Sequence, residues 1–250
     1  MNLQFTNFQT KQESIKITSF IKSTLKKQGF EKVIIPVSGG LDSSTCLLLC
    51  VKALVPEKVI AVKLPSAKQN MKLADLVIRQ AGIPKKNVFE INIGKAVNQV
   101  VRSLGNKVNS LRKGNIMARV RMIITYDLAK KHAALVCGAE NKSEYLLGYY
   151  TRFGDEACDL SPIKHLYKTQ VYQLAEYLDV PKEIINQPPS AGFWPGQTDE
   201  KEFGFTYKQA DQILYLYFEK GLNKKEIHRR IQRRLKSANT KTLNFANTKT

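Results

Sequence analysis

The seven residues 38–44, SGGLDSS, follow directly on the apolar run KVIIPV at residues 32–37. The run is short and nearly all apolar, which is typical of a strand buried on both faces of a sheet. Gly39 and Gly40 lack a Cβ, so the backbone there can turn tightly and approach a ligand closely. A turn from strand to helix lies at the ligand-binding edge of an open parallel sheet. The stretch therefore predicts an anion-binding turn at a helix N-terminus.

The side chains of this turn suit phosphate together with a divalent cation. Ser38, Ser43 and Ser44 offer hydroxyl donors for phosphate oxygens. Asp42 would repel phosphate unless a cation such as Mg²⁺ lay between them, so its presence indicates a metal-assisted site. A Walker loop would need a lysine followed by Ser or Thr, and none follows here. The alternative is a plain tight turn in which Asp42 caps the helix.

Three further apolar runs repeat this strand-like pattern. They are KVIAVKLP at residues 58–65, NVFEINI at residues 87–93 and HAALVCG at residues 132–138. Six stretches show helical periodicity. The first runs from residue 15 to a stop near Gly29, and the third runs from about Lys68 to Gln80. The other four are residues 42–54, 115–131, 206–220 and 224–236. Strands that alternate with helices predict an α/β fold, a doubly wound parallel sheet with helices on both faces.

Length and composition indicate one α/β domain. The 250 residues can bury a full core without disulfides or metals, and we predict a single domain over residues 1–236. Residues 237–250 contain ANTKT twice and few apolar residues, which predicts a flexible tail. No run approaches about 20 apolar residues and no signal peptide is evident, so we predict no membrane partner and a cytoplasmic location.

The chain is strongly basic, with 40 Lys and Arg against 21 Asp and Glu and a formal charge of +19. Such a charge attracts anionic partners, which include both RNA and nucleotides. The basic residues are spread over the whole chain and not gathered in one arm, so charge alone does not decide between the two. We do not expect nucleic acid as a partner. The four cysteines, Cys46, Cys50, Cys137 and Cys158, show no CxxC spacing, which predicts buried thiols and not a zinc site.

The loop at residues 38–43, SGGLDS, resembles the pyrophosphate-binding loop of the N-type ATP pyrophosphatases. Members of that superfamily have the adenine nucleotide alpha hydrolase-like fold, cleave ATP between its α and β phosphates and adenylate a substrate. Further segments follow in the order GNIMARVRM, GAENKSEYLLGYYTRFGDEACDLSPI, LYKTQVYQLAEYLDVP, QPPSAGFWPGQTDEKEFGFTY and IHRR. This series is similar to the NAD synthetase family over nearly the whole chain.

The resemblance implies an ATP site with one metal ion. It assigns Mg²⁺ to the carboxylates of Asp42 and Glu144, and Glu144 is expected at the same sheet edge because it follows the fourth strand. It assigns Lys168 to the ATP phosphates, where its point charge can stabilise charge that develops at the α-phosphate. These three residues form the implied catalytic group. The other implied ATP contacts are Pro36, Val37, Ser38, Gly39, Gly40, Leu41, Ser43, Ala139 and Ser190.

The resemblance also implies a set of contacts with the dinucleotide substrate. Arg119 and Arg121 lie two apart on one helix and cannot share a face, and the family pattern assigns the contact to Arg119. The other implied contacts are Arg152, which replaces a usual lysine, Asp159, His228 and Arg229.

Two positions depart from the family pattern. Ala139 stands where a threonine is frequent, so only its backbone could contact ATP. ENKS at residues 140–143 replaces the usual stretch with an acid and a histidine. These departures concern the details of ATP binding and leave the loop and the two metal carboxylates in place.

The implied activity is amidation of nicotinic acid adenine dinucleotide (deamido-NAD) to NAD, the last step of NAD biosynthesis. ATP would form an acyl adenylate with release of pyrophosphate, and ammonia would then displace AMP. The chain begins about thirty residues before its first strand, so no glutaminase domain is expected. Family members are homodimers with the dinucleotide site at the subunit interface, and we expect a homodimer here.

Two other classes of function stay open from the sequence. A tRNA-modifying enzyme can share the loop, and the basic charge would suit it. No cysteine spacing typical of the thiolases and no appended RNA-binding module is visible, however. A non-catalytic nucleotide-binding or RNA-binding protein could also keep the fold, but it would not need Asp42, Glu144 and Lys168 together.

Overall fold

The computed structural model describes residues 3–105, 107–194 and 196–229, and within them one parallel sheet forms the centre of the molecule. Its strands are β1 (Lys32–Pro36), β2 (Val59–Lys63), β3 (Val88–Glu90) and β4 (Ala134–Val136). They lie in the order β3-β2-β1-β4. In the register of the sheet, Ile34 of β1 lies between Ile60 of β2 and Val136 of β4.

Helices connect the strands and cover the sheet. They are α1 (Asn7–Gln28), α2 (Leu41–Ala53), α3 (Lys72–Gln80), α4 (Gly94–Ser103), α5 (Ser110–His132), α6 (Lys142–Leu147), α7 (Lys168–Tyr177), α8 (Lys182–Ile185), α9 (Asp199–Phe203) and α10 (Tyr207–Leu214). Single 3₁₀ turns precede β2 and β3, and a π-helical turn, Tyr215–Glu219, continues α10. Residues 224–229 are again helical.

Successive residues of each strand face opposite sides of the sheet, and both sides are buried. Val33 and Ile35 pack into a core formed with α1, α2, α3 and α7. Ile34, between them, packs into a second core formed with α4 and α5. This explains why the strands are apolar throughout and do not alternate with polar residues. The predicted doubly wound sheet with helices on both faces is confirmed.

Residues 158–160 run beside the outer edge of β4. The backbone N–H of Asp159 donates to the carbonyl of Val136 at 2.8 Å, and Gly138 N–H donates to the carbonyl of Leu160 at 2.9 Å. The Asp159 carboxylate also accepts the N–H of Val136 at 2.7 Å. Backbone groups at the end of β4 that would otherwise be unpaired are thereby satisfied.

The sequence predicted the strands well and the helix boundaries less well. Gly29 ends α1 in the left-handed conformation, as its position suggested. Helix α3 begins at Lys72 and not near Lys68, because residues 65–71 form a loop whose Ala67 has φ +53°. Helix α4 was not predicted, although Val97, Val100 and Val101 lie at helical spacing in its ten residues. The predicted tail at 237–250 lies outside the described residues, and the single-domain boundary stays a prediction.

Within the described residues, no helix combines the length and the apolar character that a membrane span needs. The four cysteines are free thiols, of which Cys46, Cys50 and Cys137 are buried and Cys158 is half-buried. Their burial agrees with the sequence prediction for three of the four.

Ala133, the residue that ends α5, adopts the left-handed conformation at φ +49°, ψ +56° and is exposed. We expect Ala133→Gly to raise the free energy of unfolding by about 0.5 kcal/mol, because the strain of a Cβ there, about 1–2 kcal/mol, exceeds the entropic cost of glycine. Urea denaturation measures this. The control is Ala96→Gly at an exposed position of α4, which should lower stability by roughly 0.5–1 kcal/mol. The same sign for both changes would contradict the assignment of strain.

Candidate active site

A cavity of about 430 Å³ opens at the carboxyl edge of the sheet. The loop after β1 (residues 36–43), residues 137–140 after β4 and residues 187–193 form much of its wall. The chain runs from β1 outward through β2 and β3 and then returns to place β4 on the other side of β1. The cavity therefore lies where the winding direction of the sheet reverses, which is the usual ligand site of doubly wound folds.

Gly39 sets the shape of the loop after β1. Its φ is +83°, and a Cβ built there would lie 2.7 Å from the backbone nitrogen of Ala74 in α3. Any side chain would both strain the backbone and collide with α3. The glycine that the sequence singled out is thus required by a close backbone approach.

The serines of the loop are partly occupied by contacts with the loop itself. The hydroxyls of Ser38 and Ser43 lie 3.0 Å apart, and Ser38 Oγ accepts the N–H of Gly40 at 3.2 Å. Ser43 Oγ also donates to the carbonyl of Gly40 at 3.2 Å. Ser44 is fully buried and does not line the cavity. The loop is preorganised by its own hydroxyls, and Ser38 and Ser43 are the two that reach the cavity.

Asp42 does not cap α2, so the alternative explanation of this residue as a helix cap is wrong. The cap position is Gly40, which has no side-chain hydrogen bond, and Asp42 lies in the first turn with its carboxylate in the cavity. Lys168 Nζ donates to its Oδ2. The same Nζ lies 3.3 Å from Oε1 of Glu144. The structure brings the three residues predicted as the catalytic group into direct contact.

Asn141 holds the two carboxylates in place and was missed by the sequence analysis. Its Nδ2 donates to Oδ1 of Asp42 at 3.2 Å. Its Oδ1 accepts the N–H of Glu144 at 3.0 Å, and its own N–H donates to Glu144 Oε2 at 3.2 Å. The pair forms a capping box at the start of α6. The spacing N-x-x-E in NKSE was a readable signal for that cap.

Burial controls the electrostatics of this group. Desolvation raises the pKa of Glu144 to about 8, although the nearby charge of Lys168 opposes the shift. Desolvation of Lys168, which is 2% exposed, would by itself lower its pKa. The charges of Asp42 and Glu144 outweigh that effect and hold the pKa of Lys168 above its ordinary value. Lys168 is therefore a cation at physiological pH.

The cavity is acidic although the chain is basic. Among the described residues its lining carries the acidic side chains Asp42, Glu140, Glu144, Asp155 and Asp199 and the basic side chains Arg121 and Lys168. An excess of carboxylates would repel a polyphosphate, so a cation is required if a polyphosphate binds.

Asp42 and Glu144 fit a magnesium ion as two ligands of a larger set. Each of their four carboxylate oxygens already accepts one donor, from Asn141 or Lys168, and each keeps a second lone pair. No group of three or more His, Cys, Asp or Glu side chains in the described ranges is arranged to hold a metal by itself. Mg²⁺ commonly takes one or two carboxylates and completes its sphere with phosphate oxygens and water.

The other predicted ATP contacts all line the cavity. The whole stretch 36–43, Ala139 and Ser190 line the cavity, and Ser190 is exposed at its mouth, where its Oγ accepts the N–H of Gly192 at 3.1 Å. Ala139 follows Gly138 at the end of β4 with only a methyl group to offer.

The predicted substrate contacts lie outside the cavity. Arg119 is exposed on α5, and its Nε donates to the backbone carbonyl of Arg152 at 3.1 Å. Asp159 lies near the same face, since the hydroxyl of Tyr126 on α5 is 3.5 Å from its Oδ1. The three residues Arg119, Arg152 and Asp159 thus share one surface. His228 and Arg229 are exposed at the end of the described chain and do not line the cavity, so their role stays a prediction.

Arg121 lines the cavity where the sequence analysis had favoured Arg119 as the ligand contact. Its Nε donates to the carbonyl of Leu64 and its guanidinium to Gln69 Oε1, both at 3.1 Å. The two arginines face different ways, as their spacing required. Arg121 holds the loop after β2 against α5.

Asp199, at the start of α9, is a further cavity carboxylate that the sequence did not mark. It is buried, and its Oδ2 accepts the hydroxyl of Tyr207 at 2.9 Å. Burial raises its pKa, and the charge of Lys168 opposes this. Acids are frequent at helix starts, so nothing in the sequence distinguished Asp199 from an ordinary first-turn acid.

Comparison with known sequences gives one family. Residues 13–248 match the family model described as NAD synthase. The NH(3)-dependent NAD(+) synthetase of Thermococcus sibiricus is 42% identical over 217 residues, which cover 86% of this chain and 84% of the relative. The protein of the same name from Methanocaldococcus jannaschii is 41% identical over 221 residues, which cover 86% of this chain and 83% of the relative.

Solved structures share the whole architecture. NMN synthetase from Francisella tularensis matches with a TM-score of 0.77 at 33% identity, over 95% of this chain and 99% of that chain. NH3-dependent NAD synthetase from Campylobacter jejuni matches with a TM-score of 0.70 at 26% identity, again over 95% and 99%. These matches confirm the predicted fold class and the family to which the loop and the later segments pointed.

Glu144 makes the stability of the ligand-free protein depend on pH. Its pKa, about 8 in the folded chain, lies above the ordinary value of a glutamate, so between these two values the folded chain keeps a proton that the unfolded chain loses. Stability should fall as the pH rises from about 4.5 to about 8. We expect Glu144→Gln to flatten this fall and to melt above the wild type at pH 8. Melting temperatures measured from pH 5 to 9 without nucleotide or divalent cations test this.

The control for this experiment is Glu57→Gln, which removes an exposed carboxylate far from the cavity. Its melting curve should keep the wild-type dependence on pH. If the melting temperatures of the wild type and Glu144→Gln fell equally with pH, burial would not raise the pKa of Glu144, and the assignment would be wrong.

Proposed function

The chain belongs to the NAD synthase family and is an amide-forming ligase of NAD biosynthesis, and we propose that its substrates are ATP, ammonia and deamido-NAD. The products on this proposal are NAD, AMP and pyrophosphate, formed through an acyl adenylate. The observation that carries the proposal is the contact of Lys168 with Asp42 and Glu144 beside the SGGLDS loop.

The loop supplies the site for the β and γ phosphates. It joins a buried strand to the N-terminus of α2, where backbone N–H groups and the positive end of the helix dipole favour an anion. Ser38 and Ser43 reach the cavity from this loop and add hydroxyl groups. Held there, the polyphosphate would present its α-phosphorus toward Lys168.

The first chemical step is adenylation. A carboxylate oxygen of the nicotinate group forms a bond to the α-phosphorus, and the bond between that phosphorus and the bridging oxygen of pyrophosphate breaks. The electron pair leaves with pyrophosphate. Lys168, fixed by two carboxylates and permanently charged, stabilises the negative charge that develops on the phosphate oxygens. The chain contributes position and charge here, and a Ser or Cys nucleophile has no role.

Asp42 and Glu144 are the residues that would hold Mg²⁺. When bound, Mg²⁺ would neutralise phosphate charge in a cavity that otherwise carries an excess of carboxylates. Asn141 fixes the orientation of both carboxylates, as partners behind metal ligands commonly do.

The second step is attack of ammonia on the carbonyl carbon of the acyl adenylate. The carbonyl carbon forms a bond to nitrogen, and AMP leaves with the electron pair of the broken bond. The nitrogen then loses a proton to give the neutral amide. Activation is necessary because oxide is a very poor leaving group from a carboxylate, whereas AMP is a good one.

The deamido-NAD site is proposed to lie on the surface that carries Arg119, Arg152 and Asp159. An apolar and aromatic patch borders these residues, with Ile123 69% exposed and Phe153 71% exposed. Phe153 also has φ +61°, a conformation that costs energy for a bulky residue and is often retained for function. A second copy of the chain that covers this patch would enclose the substrate, so we propose a homodimer with the site at its interface.

A mononucleotide substrate is a second candidate. The solved structure with a TM-score of 0.77 is an NMN synthetase and is 33% identical, whereas the NAD synthetase from Campylobacter jejuni is 26% identical. Nicotinic acid mononucleotide carries the same carboxylate as deamido-NAD, so the chemistry described above would be unchanged. The two candidate substrates differ only in the adenylate half, which the protein would have to recognise in deamido-NAD and which the mononucleotide lacks.

The deciding experiment offers purified protein both acids in parallel with ATP, Mg²⁺ and ammonium. AMP and the amide product are followed by chromatography. We expect equal yields of AMP and NAD and a higher kcat/KM for deamido-NAD. A higher kcat/KM for the mononucleotide would establish the second candidate. Absence of both amides would overturn the proposed function and would make tRNA the next substrate to test.

Asp42→Asn should lower the rate of AMP formation by about 100-fold or more, because it removes the charge that holds Lys168 and serves as a metal ligand. The variant should fold but melt below the wild type, because the buried ammonium group of Lys168 loses one of its two counter-charges while asparagine keeps the contact with Asn141. The rate is therefore compared per folded molecule. The matched control is Asp179→Asn, an exposed residue at φ +57° that asparagine also tolerates. Wild-type turnover by Asp42→Asn at ordinary Mg²⁺ concentration would exclude the assigned role.

Ile123→Glu should convert the dimer into monomers, because a charge would have to be buried at the proposed interface. The KM for deamido-NAD should rise strongly at the same time. Sedimentation equilibrium and steady-state kinetics measure the two effects. Phe8→Glu on α1 is the control, since Phe8 is 70% exposed on another element. A dimer that persists in Ile123→Glu would place the interface elsewhere.

A further inference from the structure

Asp211 on α10 is a fully buried carboxylate that the proposed reaction does not use. It does not line the cavity. Its two oxygens accept hydrogen bonds from two other helices, α6 and α7. Those two helices carry Glu144 and Lys168, so Asp211 lies directly behind the residues on which the chemistry depends.

The hydrogen bonds of Asp211 form a closed link between α6 and α7. Ser143 Oγ donates to Asp211 Oδ1 and accepts the backbone N–H of Lys168 at 2.8 Å. The backbone N–H of Thr169 donates to Asp211 Oδ2 at 2.8 Å. The carboxylate thus accepts from Ser143, the residue before Glu144, and from the N–H of Thr169, while Ser143 relays the contact to the N–H of Lys168.

Burial opposes a negative charge on Asp211, and the hydrogen bonds from α6 and α7 favour one. Asp211 accepts the N–H of Thr169 in the first turn of α7, which would otherwise lack a partner and lies at the positive end of the helix dipole. Burial raises the pKa of Asp211, and the hydrogen bonds from Ser143 and Thr169 oppose that shift. A neutral side chain would satisfy the same space but would lose the charge-assisted hydrogen bonds.

Helix α10 contacts Lys168 at a second point. Tyr207 lies four residues before Asp211, so the two side chains lie on one face of α10. The ring centroid of Tyr207 is 5.1 Å from Lys168 Nζ. One face of α10 therefore contacts the ammonium group of Lys168 through Tyr207 and the backbone of the next residue, Thr169, through Asp211.

We propose that Asp211 is a positioning residue that sets the place of Lys168 relative to Glu144 and is required for a normal rate of adenylation, although it touches no substrate. This inference rests on the proposed function, because it takes Lys168 and Glu144 as the groups that act on ATP. It adds α10, which the sequence analysis treated as an ordinary helix, to the elements that build the site.

The test compares kcat and KM in Asp211→Ala and Asp211→Asn. Asp211→Ala should lower kcat for AMP formation by about 100-fold, the effect of a misplacement of about 1 Å. Asp211→Asn, which keeps the shape and one acceptor, should recover about tenfold of that loss. The KM for deamido-NAD should not change, because its proposed site lies on a different surface. A general loss of structure would not separate the two parameters in this way.

A double variant tests whether Asp211 acts through Lys168. Asp211→Ala combined with Lys168→Ala should be no slower than Lys168→Ala alone, because the contact to be positioned is already lost. Additive losses would show that Asp211 acts by another route and would overturn the proposal.

Leu25→Ala is the control for stability, since it opens a cavity in the core under α1 far from α10. It should lower the melting temperature and leave kcat per folded molecule unchanged.

Wild-type kcat in Asp211→Ala would overturn the proposal for Asp211 while leaving the proposed function intact. If the wild type forms no amide, the proposed function fails, and Asp211 is then judged by calorimetric Mg·ATP binding in the same variants. Unchanged affinity in Asp211→Ala would then also overturn its role.

Discussion

The site depends on one buried ammonium group held by two carboxylates. Lys168, Asp42 and Glu144 come from the first turns of three different helices, α7, α2 and α6. A buried charge is tolerated only when its partners and hydrogen bonds are in place, so the three helix starts must converge for Lys168 to remain charged. Further hydrogen bonds connect the same helices, since Asn141 links the start of α6 to α2 and Asp211 links α6 to α7. Folding of these helix starts and assembly of the site are therefore the same event.

Sequence patterns predicted what local physics determines. Buried parallel strands must be apolar throughout, so the sequence predicted β1 and β2. Gly39 lies against the backbone of α3, where no side chain fits, and the SGG motif indicated this requirement. Asp42, Glu144 and Lys168 were found because a family resemblance marked them. Asp199 and Asp211 were missed, and Arg121 was weighed but set aside for Arg119, since each is an ordinary helical residue whose role comes only from tertiary contacts. Asn141 was missed although the capping box NKSE could have been read.

The charge of the chain and the charge of its cavity have opposite signs. A formal charge of +19 surrounds a pocket in which acidic side chains outnumber basic ones among the described residues. The long-range field attracts anionic nucleotides to the protein, but the local field would reject them without a counterion. Such an arrangement favours a nucleotide that arrives with its metal over one that arrives bare. It also explains why bulk charge alone suggested RNA as readily as a nucleotide.

The short segment that runs beside β4 has a consequence for solubility. An open strand edge can recruit a strand from another molecule and so begin ordered aggregation. Residues 158–160 and the Asp159 carboxylate occupy that edge with local hydrogen bonds. Asp159 thereby protects the sheet from intermolecular pairing while it stands on the surface proposed for the substrate. A change at this residue would leave the edge of β4 open to intermolecular pairing and so lower the yield of folded protein in the cell.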